Sequence, residues 1–255
     1  MAQTRPKPAI FSISTTPSKY LNTYVPLSRI YLIPNLGTMP IFYALISILH
    51  LIGEAFNLSL VYFTKPLLIP ALAFWWWQHS RSSPIRNTVL WALVFSTLGD
   101  ILLMGAGRNA YFFLLGLAAF LVAHVFYIYT FRTLLRGKKG YLQQYPAWIL
   151  PFFLYLVGLL YFLWGGIPMA MKGAVAVYAA TITIMAILAL HLRGVISDYS
   201  ARWLFLGAVL FVLSDSMIAI NKFGYPFPEA RVAIMGTYIF GQYALVWALS
   251  RWNSN

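Results

Sequence analysis

Long apolar runs, each about the length of a helix that crosses a membrane, follow one another along most of this chain. A transmembrane helix needs about 20 predominantly apolar residues. Glycine, proline and charged residues cluster between the runs, as in "RGKKGYLQQYP" and "NKFGYPFPEAR". The pattern predicts an all-α, polytopic membrane helix bundle of eight transmembrane helices. The eight predicted spans lie near residues 39–57, 58–79, 86–104, 110–133, 146–164, 169–192, 202–222 and 230–250.

The N-terminal segment breaks this pattern. Residues 1–38 carry five prolines and scattered serines and threonines, without a continuous apolar core. A secretory signal peptide requires such a core, so this segment is not one. We therefore expect two regions, a flexible or interfacial cytoplasmic tail at 1–38 and an eight-helix transmembrane domain at 39–251.

Composition supports a membrane protein and removes several kinds of chemistry. The chain is 61% hydrophobic and 9% charged, whereas soluble domains are about 25% charged. It has no cysteine, which excludes disulfides, thiol nucleophiles and thiolate metal sites. The net charge of +13 could suggest a nucleic-acid partner. In a membrane protein it is explained more simply by basic cytoplasmic loops, so we expect no nucleic acid.

The distribution of lysine and arginine predicts the orientation. With the N-terminus in the cytoplasm, thirteen basic residues fall in the tail, the inner loops and the C-terminus, and four fall outside. Lys65 lies within a span. Because positive residues are enriched on the cytoplasmic side, we expect both termini in the cytoplasm.

This orientation brings ionisable groups from three spans to one level of the membrane. Asp100 lies about 6 Å from the outer end of its span, and Asp215 and Lys65 each lie about 10 Å from theirs, at 1.5 Å per residue. Glu54, too, falls in the outer half. Charged groups inside a membrane are costly and usually functional. Their common depth therefore predicts a site.

The seventh span adds a pattern that suits a lipid. Asp215 and Lys222 are seven residues apart and share a helix face, and Ser214 and Asn221 form the adjacent pair. A cation near the headgroups and a carboxyl about 10 Å deeper could hold the phosphate and the start of the chain.

Each of these residues also has a purely structural interpretation. Asp100 could pair with Lys65 to join two helices, and Lys222 could be an anchor whose charge reaches the interface. His124 could be a hydrogen-bonded packing residue. Glu54 could line the entrance of a site or only face the headgroups.

Familiar catalytic motifs are missing from the sequence. It contains no G-x-S-x-G elbow, no H-E-x-x-H, no Gly-rich phosphate loop and no histidine pair at metal-ligand spacing on one span. We therefore expect no metal. Two intramembrane carboxyls with nearby cations and hydroxyls remain, and such a group can do acid–base work or couple proton movement to transport.

Several segments resemble the YhhN-like lysoplasmalogenase family. They are "TKP" at 64–66, "FSTLGDILLM" at 95–104, "GLAAFLVAHVFYI" at 116–128, "GAVLFVLSDSMIAINKF" at 207–223 and "GQYALVWAL" at 241–249. The resemblance covers about residues 40–250. It implies an eight-span enzyme that hydrolyses the vinyl ether bond of lysoplasmalogens to a fatty aldehyde and a glycerophospho-ethanolamine or -choline. It also implies that Asp100 and Asp215 are catalytic.

Two carboxyls are suited to this reaction. A vinyl ether hydrolyses after protonation of its β-carbon, which gives an oxocarbenium-like ion that water captures. Glycosidases handle a similar ion with one protonated and one ionised carboxyl, and two aspartates close together in low dielectric should hold one proton between them. If Lys65 lies beside Asp100, then Asp100 is the base and Asp215 the acid, but the reverse assignment stays open.

The remaining candidates would bind the lysophospholipid, and water and protons suffice, so no cofactor is expected. The residues proposed for substrate binding are Lys65, Lys222, Asn221, Tyr178, Ser214 and His124. An alternative is a proton-coupled transporter of a lipid or small solute that uses the same aspartates. The expected location is a bacterial inner membrane, and an endoplasmic reticulum protein would show the same pattern.

Overall fold

The computed structural model describes residues 40–252, and this part of the chain is helical, with no strand. The predicted tail at 1–38 lies outside the described residues. The helices are α1 (Ile41–Ala55), α2 (Val61–His79), α3 (Arg86–Met104), α4 (Ala110–Leu135), α5 (Tyr141–Gln144), a 3-10 turn (Pro146–Ile149), α6 (Leu150–Leu163), α7 (Met169–His191), α8 (Asp198–Phe223) and α9 (Ala230–Ser250). The all-α class is confirmed.

Six helical segments within residues 40–252 are long and apolar enough to cross a membrane. They are α3, α4, the 3-10 turn with α6, α7, α8 and α9. The protein is thus a multi-pass membrane protein. The first two predicted spans are present as helices but fall short of these criteria. Helix α1 has 15 residues, or about 22 Å at 1.5 Å per residue, and α2 contains Lys65 and two internal prolines.

Predicted and observed boundaries agree for two helices that are flanked by glycine, proline and charge clusters. The spans expected at 86–104 and 230–250 match α3 and α9. Helix α8 begins four residues before the predicted 202, because the Ser197 hydroxyl accepts a hydrogen bond from the Ser200 amide and caps the helix. The span expected at 146–164 opens as a 3-10 turn with Pro146 in its first position.

Glycines allow two helix pairs to approach closely. A Cβ at Gly207 on α8 would lie 2.9 Å from the Gly241 carbonyl oxygen on α9. A Cβ at Gly99 on α3 would lie 2.5 Å from the Phe120 ring on α4. Small residues at such contacts are the usual way in which membrane helices pack. These two contacts bring α8 close to α9 and α3 close to α4.

Apolar side chains also cover much of the outer surface. Helix α6 illustrates this, since Phe153, Leu154 and Phe162 are all exposed and only 6% of its spanning segment is buried. An apolar surface of this kind is suited to contact with lipid. Helix α6 therefore lies at the periphery of the described helices and packs against α7 and α8.

Candidate active site

Asp100 is buried between helices and is held by a tyrosine from the last helix. Its residue surface is 3% exposed, and the Tyr238 hydroxyl donates a 2.7 Å hydrogen bond to its Oδ2. Tyr238 lies on α9, eight residues after the first residue of that helix. Helices α3 and α9 therefore meet at this carboxyl. A buried carboxyl requires a hydrogen-bond partner, and here Tyr238 provides it.

Asp215 has a corresponding arrangement on the other side of the site. The Tyr178 hydroxyl on α7 donates a hydrogen bond to Asp215 Oδ2. Unlike Asp100, Asp215 is only partly buried, because it lines an open pocket. The next residue, Ser216, accepts a 2.7 Å hydrogen bond from the Tyr155 hydroxyl. Two tyrosines from α6 and α7 therefore bind the S-D-S segment.

A cluster of aromatic rings connects the two carboxyl–tyrosine pairs. Tyr238 packs edge-on against Phe211 with ring centroids 5.4 Å apart. Phe211 packs in the same way against His124 at 4.8 Å, and His124 against Tyr178 at 5.4 Å. In addition, Asp100 lies close enough to Asp215 for their charges to interact. The two aspartates are thus connected through one cluster of aromatic rings.

The pocket at Asp215 is apolar. Its empty space, including the open side, is about 730 Å³. Asp215, Ser216, Tyr155, Tyr178 and Thr183 supply its polar groups. Leucine, phenylalanine, valine, isoleucine and alanine side chains from α3, α4, α6, α7 and α8 form the rest of the lining. One carboxyl in an otherwise hydrocarbon-lined space is an arrangement suited to a substrate with a long apolar chain.

Lys222 lies beside one end of this pocket. Its Nζ is 5.5 Å from the centroid of the Phe113 ring, and Phe113 and Phe223, which pack edge to face, both line the pocket. The lysine is exposed. A cation next to the pocket and a carboxyl within it thus lie on one helix, as the sequence predicted.

The other predicted site residues are more scattered. Lys65 and Asn221 do not line the pocket, and no ion pair within 4 Å joins Lys65 to Asp100 among residues 40–252. Lys65 is still near enough to Asp100 for its charge to act on it. Ser214 is fully buried, and its hydroxyl donates to the Ile234 carbonyl at 3.0 Å, which joins α8 to α9.

His124 differs from an ordinary packing histidine. It is fully buried, and neither ring nitrogen has a hydrogen-bond partner in the part of the chain that the structure describes. His124 thus packs edge-on against Phe211 and Tyr178 without a hydrogen bond to another residue of the described range. The His124 ring contacts Tyr178 edge to face, and Tyr178 donates a hydrogen bond to Asp215. Tyr178 thus lies between His124 and Asp215.

Sequence reasoning did not identify the tyrosines that hold the carboxyls, except Tyr178. Tyr238 and Gln242 are four residues apart on one face of α9, and both are buried polar residues in an apolar span. Gln242 donates to Ser96 Oγ at 3.0 Å and accepts from the Tyr127 hydroxyl at 2.7 Å. The sequence signal that could have identified Tyr238 is this pair of polar residues, four positions apart, in an otherwise apolar helix.

Metal-ligating side chains do not cluster in the described part of the chain. No group of three histidine, cysteine, aspartate or glutamate residues there could hold a metal ion.

Comparison with known proteins identifies the family. The YhhN family profile matches residues 60–249. The human protein named lysoplasmalogenase TMEM86B is 31% identical over 178 residues, which cover 70% of this chain and 70% of the relative. Human lysoplasmalogenase TMEM86A is 34% identical over 177 residues, covering 62% of this chain and 63% of the relative. Bovine lysoplasmalogenase TMEM86A is 32% identical over 163 residues, with coverage of 62% and 63%.

No solved structure matches the chain. The family profile nevertheless covers most of the sequence, from the start of the α2 region to the end of α9, and includes both aspartates and both of their tyrosine partners. The chain therefore belongs to the YhhN family.

Proposed function

We propose that this protein is a lysoplasmalogenase, a membrane hydrolase that cleaves the vinyl ether bond of lysoplasmalogens with two aspartates. The names of its relatives support the activity. The observation that carries the mechanism is the pair of carboxyls, each bonded by a tyrosine and connected through one aromatic cluster, with Asp215 open to an apolar pocket.

Asp215 is proposed as the acid. It lines the pocket, whereas Asp100 does not, so Asp215 is the carboxyl that can reach a bound chain. Its proton adds to the β-carbon of the vinyl ether, the double bond becomes a single bond, and positive charge develops on the neighbouring carbon and its ether oxygen. A carboxyl in apolar surroundings keeps its proton at neutral pH, so it can serve as the acid.

Asp100 is proposed as the base. The Tyr238 hydroxyl holds one of its oxygens, and the other oxygen is proposed to accept a proton from water. Water adds to the positively charged carbon, and its proton passes to Asp100. The resulting hemiacetal gives its hydroxyl proton to Asp215, the carbon–oxygen bond to glycerol breaks, and the glycerol oxygen takes a proton from Asp100 through a bridging water. One water is consumed, and both carboxyls return to their starting states.

The pocket and its neighbouring cation define how the substrate would bind. The single hydrocarbon chain would occupy the apolar lining, and Lys222 would pair with the phosphate. His124 lies beside Tyr178, and its ring nitrogens, which have no hydrogen-bond partner among residues 40–252, are proposed to bind a water. Asn221, Ser214 and Lys65 would act from outside the pocket, with Ser214 holding α8 against α9.

We further propose eight spans with both termini in the cytoplasm. Helices α1 and α2 occupy the positions of the first two predicted spans, and the charge asymmetry supports the orientation. Because the chain has no cysteine, single cysteines report the topology. Lys138→Cys should react only from the cytoplasmic side, and Pro226→Cys only from the other side. Reaction of both from one side would contradict eight spans. The proposed location is a bacterial inner membrane.

The activity is tested by incubating the purified protein in detergent with a lysoplasmalogen. We expect free fatty aldehyde, and we expect none from the Asp215→Asn variant. A proton-coupled transporter would release no product in a system without compartments. Unchanged substrate after prolonged incubation would therefore contradict the proposal.

A further inference from the structure

Helix α1 presents an unusual face to the protein interior. Its buried residues are Tyr43, Ser47, His50, Gly53 and Glu54, so every buried side chain on this helix carries a polar group. The opposite face is exposed and apolar, with Ile48 and Ile52 as examples. Small residues and interhelical hydrogen bonds are usual where membrane helices pack, but ionisable side chains such as His50 and Glu54 are rare within a membrane and usually functional. The polar face therefore requires an explanation, and the described mechanism does not use it.

The polar face continues into a chain of contacts with α2 and α9. Arg231 Nε lies 2.6 Å from Glu54 Oε2, and Glu54 Oε1 lies 3.5 Å from His50 Nε2. His50 Nδ1 lies 2.8 Å from the Thr64 hydroxyl. At the exposed end, Arg231 also donates a 2.5 Å hydrogen bond to Asn57. The contacts thus lead from an exposed arginine inward to a fully buried histidine.

The same face reaches the surroundings of Asp100. Lys65 follows Thr64 directly, and it is near enough to both His50 and Asp100 for its charge to act on each. From the other end of α1, the Tyr43 hydroxyl donates a 2.7 Å hydrogen bond to the Ile239 carbonyl. Ile239 is the neighbour of Tyr238, which binds Asp100. The polar groups of α1 therefore extend from the contact with Arg231 to a backbone carbonyl beside the tyrosine that binds Asp100.

One atom on this path lacks a satisfactory protein partner. His50 Nε2 is buried and has no hydrogen bond within residues 40–252, and its 3.5 Å separation from Glu54 Oε1 is too long for a strong bond. A buried polar atom without a partner is costly. A polar contact of this length is suited to a bridging water.

We propose that the polar face of α1 forms a water route, from the exposed Arg231 to Asp100, that is separate from the apolar pocket. This rests on the proposed function, in which each turnover consumes one water at Asp100. The pocket is lined mainly by hydrocarbon, and a bound chain would fill it. A second, polar approach would let water reach the positively charged carbon while the lipid stays in place. Most of this route lies outside the family match, which begins at residue 60.

An introduced cysteine gives a test, because the chain itself contains no cysteine. Ser47→Cys replaces a buried hydroxyl on the polar face of α1, and Ser214→Cys replaces a fully buried hydroxyl in the α8–α9 contact. Methyl methanethiosulfonate reacts with the thiolate, which forms readily only where water reaches the sulfur. In the purified full-length protein, Ser47→Cys should react at least roughly tenfold faster than Ser214→Cys.

The modification should also block the route. After labelling, Ser47→Cys should lose most of its turnover with little change in KM, and a reducing agent should restore it, while the reagent leaves the cysteine-free parent unaffected. Equal, slow labelling of both variants would overturn the proposal, and so would full turnover after complete labelling. If Ser47→Cys is inactive, the labelling rates alone decide. If the cysteine-free parent protein releases no aldehyde, the proposed function is contradicted. The labelling rates still test the water route in that case.

Discussion

Tyr238 and Asp100 lie 138 positions apart in sequence, and a 2.7 Å hydrogen bond joins them inside the membrane domain. The bond ties α9 to α3 at a carboxyl that is almost completely buried. Tyr178 and Asp215 repeat the arrangement between α7 and α8. Two carboxyls that are each oriented by a tyrosine and share one aromatic cluster form a preorganised pair, and the predictions below test that pair.

Replacement of either aspartate by asparagine should abolish activity without preventing folding. An amide is isosteric with the carboxyl and cheaper to bury than a carboxylate. Asp100→Asn and Asp215→Asn should each lose nearly all turnover, and the double variant should be little worse, because groups that act as a unit are not additive. Aldehyde release and size-exclusion profiles measure both properties. About a third or more of parental turnover in either single variant would contradict the two-carboxyl mechanism.

Removal of the tyrosine hydroxyls should have a smaller effect. A hydrogen bond to a charged group contributes about 1.5–3 kcal/mol, and about 1.4 kcal/mol corresponds to a tenfold change in rate. Tyr238→Phe should therefore lower kcat roughly 10- to 100-fold. Tyr178→Phe should lower it roughly 2- to 10-fold, because its partner Asp215 is proposed to be protonated and a bond between neutral groups contributes about 0.5–1.5 kcal/mol. Tyr161→Phe is the matched control, since that ring is 85% exposed, and it should be neutral. Parental kcat in both buried variants would show that these tyrosines do not orient the carboxyls.

The location of this site could be predicted only in part from the sequence. Asp100, Asp215 and Lys222 were recognisable because each is a charge in an apolar run, and helical spacing alone places Asp215 and Lys222 on one face. Tyr238 and Phe211 were not, because an aromatic residue in a membrane span carries no local sign of what it contacts. Those contacts depend on how α3, α4, α7, α8 and α9 pack, which spacing within one helix does not determine.

The fold, like the site, could be predicted only in part from the sequence. The ends of α3 and α9 followed from Gly, Pro and charge clusters, whereas the start of α8 depended on Ser197, whose capping role was not recognised. The polar side of α1 was only partly recognised, through Glu54. Its Tyr43 and Ser47 are unremarkable in sequence, and they gain meaning because they share the buried face.

Loss of the Lys222 charge should weaken substrate binding more than chemistry. Lys222→Gln should raise KM for a lysoplasmalogen roughly tenfold, with kcat nearly unchanged, because the lysine is proposed to pair with phosphate. The same variant should hydrolyse an alkenylglycerol, which lacks phosphate, as well as the parent does. Lys139→Gln, at an exposed lysine outside the pocket, is the control. Equal KM values for the two lysine variants would remove Lys222 from the binding site.

A larger side chain in the pocket should make turnover depend more strongly on the length of the substrate's hydrocarbon chain. Ala219 lines the pocket, so Ala219→Phe should reduce turnover of a long-chain substrate severalfold more than that of a short-chain one. Leu206 is an exposed residue on the same helix, and Leu206→Phe should leave the ratio unchanged. An equal loss for both chain lengths in Ala219→Phe would mean that the chain binds elsewhere.

The most direct test compares three lipids that differ only at the bond attacked: a lysoplasmalogen, its ester counterpart and its saturated alkyl ether counterpart. The acid proposed here protonates a carbon–carbon double bond next to an ether oxygen, and only the first lipid has that bond. The other two should compete for the pocket without turning over, because headgroup and chain are unchanged. We predict aldehyde from the lysoplasmalogen alone. Release of fatty acid from the ester at a comparable rate would instead indicate acyl transfer, and it would contradict the roles proposed for Asp100 and Asp215.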